Sequence, residues 1–278
     1  MAEASTHLVE NVLPYVPYRQ FVVTFPFPMR YWLQTNKKLY ANIHRLVIKE
    51  INRYYIEKAE NLGIKNPKPG SISFTQRAGS ALNLNIHAHI LFADGVYTRV
   101  KEKAHFRKLD PISDDEVAVL LEKISQKVMR YLKKIGYLDE SGEIVENPVA
   151  DELFSDSDAL TQATARSIQG RIAFGPNAGN YVTRIGSGFG YGEEIPLAKG
   201  SRCFSVNGFS LHANTGIKTQ QRDRLDKLIQ YIARGPLSNE RLEITDDNKV
   251  KLRLKTSYSD GTTHLLFTFG EFMENLSH

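Results

Sequence analysis

The chain has one cysteine, Cys203. A lone thiol cannot close an internal disulfide or build a cysteine-based zinc cluster, so a disulfide-stapled scaffold is excluded and a reducing cytoplasm is the expected setting. No apolar run approaches the roughly 18–20 residues that cross a membrane. The start, MAEASTHLVENVLPY, lacks a basic end followed by an apolar core. Neither a membrane association nor a signal peptide is therefore expected. No Walker lysine motif occurs, and the glycine cluster GSGFGYG does not sit between a clear strand and a helix, which argues against a nucleotide-cradling loop. Internal repeats and low-complexity tracts are absent too. What remains is globular material: 278 residues, 41% hydrophobic and 24% charged, enough to bury a real core. The net charge of +5 leans mildly toward a polyanionic partner.

The order of elements is mixed. RQFVVTFPFP (19–28) is β-branched and aromatic, then stopped by prolines, and predicts a first strand. Residues 36–63 have helical spacing and a terminal glycine. SISFTQ (71–76), a turn at Ala78-Gly79-Ser80 and LNLNIHAHILF (82–92) predict an antiparallel hairpin. Residues 113–138 open with a serine and acids and predict a second long helix, and 151–170 a third. The segment 175–200 is dense in glycine and reads as a flexible loop. Strands at 203–217, a helix at 219–234, short strands over 241–269 and a closing helix near Glu271 complete the series.

Within the hairpin, Asn83, Asn85, His87 and His89 point one way, while Leu82, Leu84, Ile86, Ala88 and Ile90 point the other. Two imidazoles one residue apart on a strand reach a common cation. Gln76, on the partner strand, offers an amide oxygen as a third ligand, and that set leaves an octahedral ion open positions for water and a phosphate oxygen. The plainer reading is a half-exposed strand with polar residues on its outer face. On the predicted helix 219–234, Leu225, Leu228, Ile229 and Ile232 form an apolar stripe. Tyr231 falls outside it, flanked at helical spacing by Arg224, Lys227 and Arg234. A phenol among cations suits a phosphate backbone, although a pKa of about 10 means it needs activation to act as a nucleophile. A solvated basic face with an incidental tyrosine is the alternative.

Taken together, HAH at 87–89 within SFTQRAGSALNLNIHAHILFADGVY, along with RQFVVTFPFPMRYWL, SIQGRIAFGP, GFSLHA, LIQYIARGPLSNERL and DGTTHLLFTFGEF, resembles the HUH-endonuclease transposases of rolling-circle insertion sequences. The resemblance implies an α+β fold, a single HUH domain over 1–278 with a central antiparallel sheet flanked by helices, and 113–170 as a helical insertion or subdomain. It implies nicking and rejoining of single-stranded or hairpin DNA at element ends, with a divalent metal (Mg2+ or Mn2+). His87 and His89 then take the metal-ligand role and Tyr231 the nucleophile role. The third ligand is Gln76 or His212; His212 otherwise contacts DNA or is a satisfied core histidine. Arg77, Arg224, Lys227 and Arg234 become DNA-binding candidates. Some members of that family carry two tyrosines one helical turn apart; no Tyr-x-x-x-Tyr occurs here, so a single-tyrosine enzyme is expected. The usual cysteine-rich zinc ribbon is also missing from this sequence, as in a catalytic core or a compact version. A plasmid replication initiator or relaxase with the same chemistry, a zinc hydrolase and a non-catalytic single-strand binding module stay open, as does homo-oligomer formation.

Overall fold

A computed structural model describes residues 2–79, 84–142, 197–233, 241–254 and 263–276. After α1 (Ala2–His7) and a π-helical turn (Leu8–Val12), strand β1 (Tyr18–Thr24) leads to α2 (Phe27–Thr35) and α3 (Lys37–Asn61). The prolines expected to end the first strand do so, but they also open α2, because Pro28 in the first helical turn has no N–H to leave unpaired. Asn36 caps α3 by accepting the Leu39 N–H.

Strands β2 (Ser71–Ala78) and β3 (Leu84–Ala93) form the expected hairpin. They are followed by a ribbon, β4 (Gly95–Val100) and β5 (Lys103–Lys108), and then by α4 (Asp114–Lys134) with a Ser113–Glu116 capping box. The expected helix at 151–170 lies outside the described residues. So does most of 175–200, whose last residues form β6 (Leu197–Gly200). Then come β7 (Cys203–Val206), β8 (Phe209–His212), β9 (Gly216–Ile217) and α5 (Arg222–Ala233). The chain closes with β10 (Leu242–Ile244), β11 (Val250–Arg253), β12 (His264–Phe267) and α6 (Phe269–Leu276).

The architecture is α+β: a seven-stranded antiparallel sheet, ordered β2-β3-β1-β8-β7-β6 with β9 pairing β1, flanked by helices. Period-two alternation decides what each face does. Phe21 and Val23 of β1, Phe25 just after it, and Ile86, Ala88, Ile90 and Phe92 of β3 have no exposed surface and pack against α3 and α4. Among the described residues the opposite face is covered at one end. There Val9, Leu13, Tyr18, Leu91, Leu225 and Ile229 form a second cluster that seats α5 and the N-terminal turn on the sheet. A buried network ties the covered end together: Arg19 pairs with Asp94 at 2.9 Å, Tyr55 donates to the same carboxylate, and Arg19 donates to the Ala213 carbonyl. The three-stranded sheet β10-β11-β12 has its own small core of Val250, Leu252 and Phe272. Among the described residues no helix is long and apolar enough to cross a membrane.

Candidate active site

The half-open face of the large sheet carries the residues with chemistry. Gln76 of β2 pairs with His87 of β3, which pairs with Thr24 of β1, which pairs with Ser210 of β8. One step along, the row is Phe74, His89, Val22 and His212. Residues directly opposite one another in an antiparallel ladder share a face. Both imidazoles therefore stand on the side away from α3 and α4, with ring centroids 5.0 Å apart.

The tautomer of His87 is set by its own strand. Its Nδ1 lies 2.6 Å from the Asn85 carbonyl oxygen, an atom that only accepts, so Nδ1 holds the proton and Nε2 is the basic nitrogen. His89 is buried and its Nδ1 lies 2.6 Å from Nε2 of Gln20, itself buried one strand away. In this arrangement the amide N–H donates to Nδ1 and the ring proton sits on Nε2. Turning the amide over puts its oxygen against Nδ1–H and makes Nε2 of His89 the basic nitrogen, the state a cation requires.

Helix α5 reaches this pair because its apolar stripe has a place to sit. Leu225, Ile229 and Ile232 are buried, while Arg224 and Lys227 are exposed and have no ion pair among the described residues. Tyr231, 46% exposed, stands with its ring edge-on to His89 at a centroid separation of 6.5 Å. The helix is tethered to β2: Gln76 Nε2 donates to the Ile232 carbonyl at 3.0 Å.

The remaining sequence candidates are spread around this centre. His212 shares the face but stands two strands from His89, roughly 10 Å across the sheet. It is half-buried, and burial lowers its pKa. Arg77 lies on the other side of β2 from Gln76, donating to Gln34 of α2 at 2.8 Å. Arg234 lies outside the described residues.

Two residues enter the site that the motifs did not flag. Gln20 is one; its signal was an amide inside the otherwise apolar strand RQFVVTF. The other is Arg241, buried at the start of the small sheet with its Nε donating to the Arg253 carbonyl at 2.7 Å. Burial, then the charge of Arg253, pushes its pKa down, and the Tyr231 phenol pushes the other way, so the cation and the phenol feel each other. Nothing local in the sequence announces that contact.

Among the described residues no three His, Cys, Asp or Glu side chains converge as a metal site. The donor set on offer is two imidazoles and an amide oxygen. It fits an octahedral ion that keeps several positions for water and substrate, and does not fit a closed structural zinc site.

Residues 70–278 match the family described as "Putative transposase" (Y2_Tnp). No curated protein and no solved structure shows significant similarity to the chain. The matched region holds His87, His89, Gln76 and Tyr231, and covers well over half the sequence. The chain belongs to the Y2_Tnp transposase family, which makes DNA its partner and DNA transposition its setting.

Proposed function

We propose that this transposase nicks and rejoins single-stranded DNA through a 5′-phosphotyrosine at Tyr231, using a divalent cation, Mg2+ or Mn2+, held by His87, His89 and Gln76, in rolling-circle transposition. The observation that carries the reading is the convergence of the Tyr231 and His89 rings to 6.5 Å from distant parts of the chain. A cation bound by the two imidazoles would supply Lewis-acid polarisation of the scissile phosphate and offset its developing charge. The Tyr231 oxygen attacks the phosphorus in line. An O–H bond of the phenol and the P–O3′ bond break, an O–P bond forms, and the proton ends on the 3′-oxygen. One phosphodiester replaces another, so the free 3′-hydroxyl can run the step backwards to rejoin a strand without ATP.

Arg241, whose charge interacts with the Tyr231 phenol, would stabilise the phenolate as the proton leaves. Thr24 and Ser210, joined by a 2.6 Å hydroxyl contact, extend a polar floor from the histidines toward His212, along which a strand can lie. Arg224 and Lys227 supply phosphate contacts beside it. Membership of a transposase family favours transposition over plasmid replication or conjugation. The test is incubation of the full chain with labelled single-stranded DNA and Mn2+. A covalent protein–DNA adduct is expected for the native chain and none for Tyr231→Phe, with strand binding within about twofold. An adduct that survives in Tyr231→Phe refutes the nucleophile assignment.

A further inference from the structure

The chain's excess positive charge is concentrated away from the histidines. The β4–β5 ribbon carries five lysines and arginines and a single acid, Glu102, against a net charge of +5 for the whole sequence. The ribbon is firmly built. Gly95 opens it where a Cβ would lie 2.3 Å from the Arg107 carbonyl, so the strands meet at a distance only glycine allows. Lys101 and Glu102, with φ of 45° and 62°, form the two-residue mirror-image turn whose twist matches that of the strands. Tyr97 and Phe106 pack against each other at 5.2 Å, and Tyr97 exchanges two backbone hydrogen bonds with Lys68.

Between the ribbon and the turn that ends α3 lies an open cleft of about 570 Å³, lined by Lys65, Arg99, Arg107 and Lys108. Arg99 pairs with Glu102 at 2.5 Å. Lys65, Arg107 and Lys108 have no ion pair among the described residues, and their mutual repulsion is relieved by an anion. Cations spread along the ribbon and its cleft suit an extended polyanion better than one phosphate. The ribbon's larger rings, Tyr97 and Phe106, are partly buried against each other and the core, and His105 is its one exposed ring, so it lacks the run of open aromatics on which successive bases of a single strand stack. A two-stranded ribbon does fit the major groove of a duplex. Four residues of β3 and the bend at Asp94 separate His89 from Gly95, so the ribbon begins up to roughly 20 Å from the mid-strand histidines, beyond the end of β3.

We propose that the β4–β5 ribbon and its cleft bind the phosphate backbone of duplex DNA, holding a hairpin stem whose adjoining single strand enters the histidine–tyrosine site. The duplex-binding half stands by itself; the placement of the stem beside the cut strand rests on the proposed nicking activity.

The test uses the full chain and a fluorescent DNA hairpin with a single-stranded extension, read by anisotropy across a salt series with chelator present. For the combined Lys65→Ala, Arg107→Ala, Lys108→Ala variant, hairpin affinity should fall at least about tenfold, with the log–log salt slope shallower by about 3. The tip variant Lys101→Ala, Lys103→Ala should lose affinity in the same sense, and it keeps the test alive if the first variant does not fold. Both variants should bind a stemless strand, and form the tyrosine adduct on it with Mn2+, within about twofold of the native chain. Native hairpin affinity in both variants overturns the proposal, as does an equal loss on the stemless strand, which would make the ribbon a single-strand surface. If the native chain forms no adduct while the ribbon variants still lose duplex affinity, the nicking reading fails and the duplex surface stands.

Discussion

Gln76 joins two parts of the site, and the parts can be pulled apart. Its amide N–H is bonded to the Ile232 carbonyl of the tyrosine helix, and its oxygen is the proposed third donor beside His87. Gln76→Leu removes both. One half-buried hydrogen bond is worth about 1 kcal/mol, so the metal-free protein should melt about 2–4 °C lower. Loss of a donor should weaken Mn2+ binding about tenfold, equivalent to about 1.4 kcal/mol. Gln76→Glu separates the effects. A carboxylate cannot donate to the Ile232 carbonyl and repels it, so stability should fall at least as far. The same carboxylate gives a hard cation an anionic oxygen, so Mn2+ affinity should rise. Thermal melts in chelator and calorimetric titration with Mn2+ read the two quantities independently. Native Mn2+ affinity in Gln76→Leu would reduce Gln76 to a helix tether and turn attention to His212.

His87→Ala should abolish Mn2+-dependent adduct formation; equal cleavage in Mn2+ and in chelator would remove the metal role. Arg241→Met should slow adduct formation by about a hundredfold with strand affinity preserved, and Arg241→Lys should restore part of the rate; native rates in the Met variant would show that the cation is only structural. His44, on α3, is held below its ordinary pKa by burial and contacts Ser73 at 2.7 Å. Below pH 6.5 the unfolded chain takes up a proton there that the folded chain resists, so stability should drop as pH falls through that range. Urea midpoints from pH 8 to pH 5 should show a shallower decline in His44→Asn, and an unchanged decline would assign the pH dependence to other groups.

The parts of the fold that follow from period were legible in the sequence. The long helices α3 and α4, the β2–β3 hairpin and the α5 stripe all appear within a few residues of their expected bounds. Three elements went unread for specific physical reasons. Helix α2 begins at prolines that signal a strand end equally well, and only the continuing chain decides between them. The ribbon turns at Lys101-Glu102, where nothing resembles the Asn-Gly pair that marks a tight hairpin, although Asn207-Gly208 between β7 and β8 is such a pair. The N-terminal turn is ordered by packing on α5 and β1, contacts distant in sequence. The site divides the same way. The histidine pair is visible because two residues of strand define it, whereas Gln20 and Arg241 join only through tertiary contacts with His89 and Tyr231.

Position in the site is a product of burial more than of direct bonding between its members. Ile86, Ala88 and Ile90 have no exposed surface, so a one-residue slip of β3 would drive both imidazoles into the helix-packed core and expose three apolar side chains. The register that stabilises the sheet is thus the register that presents the histidines. Leu225 and Ile229 seat α5 on Leu91 and Tyr18 in the second cluster, and the phenol two residues beyond Ile229 is carried over His89 by that contact and by the Gln76 tether. Helix α5 thus brings the half-exposed Tyr231 ring against His89, with the apolar stripe behind it holding the angle.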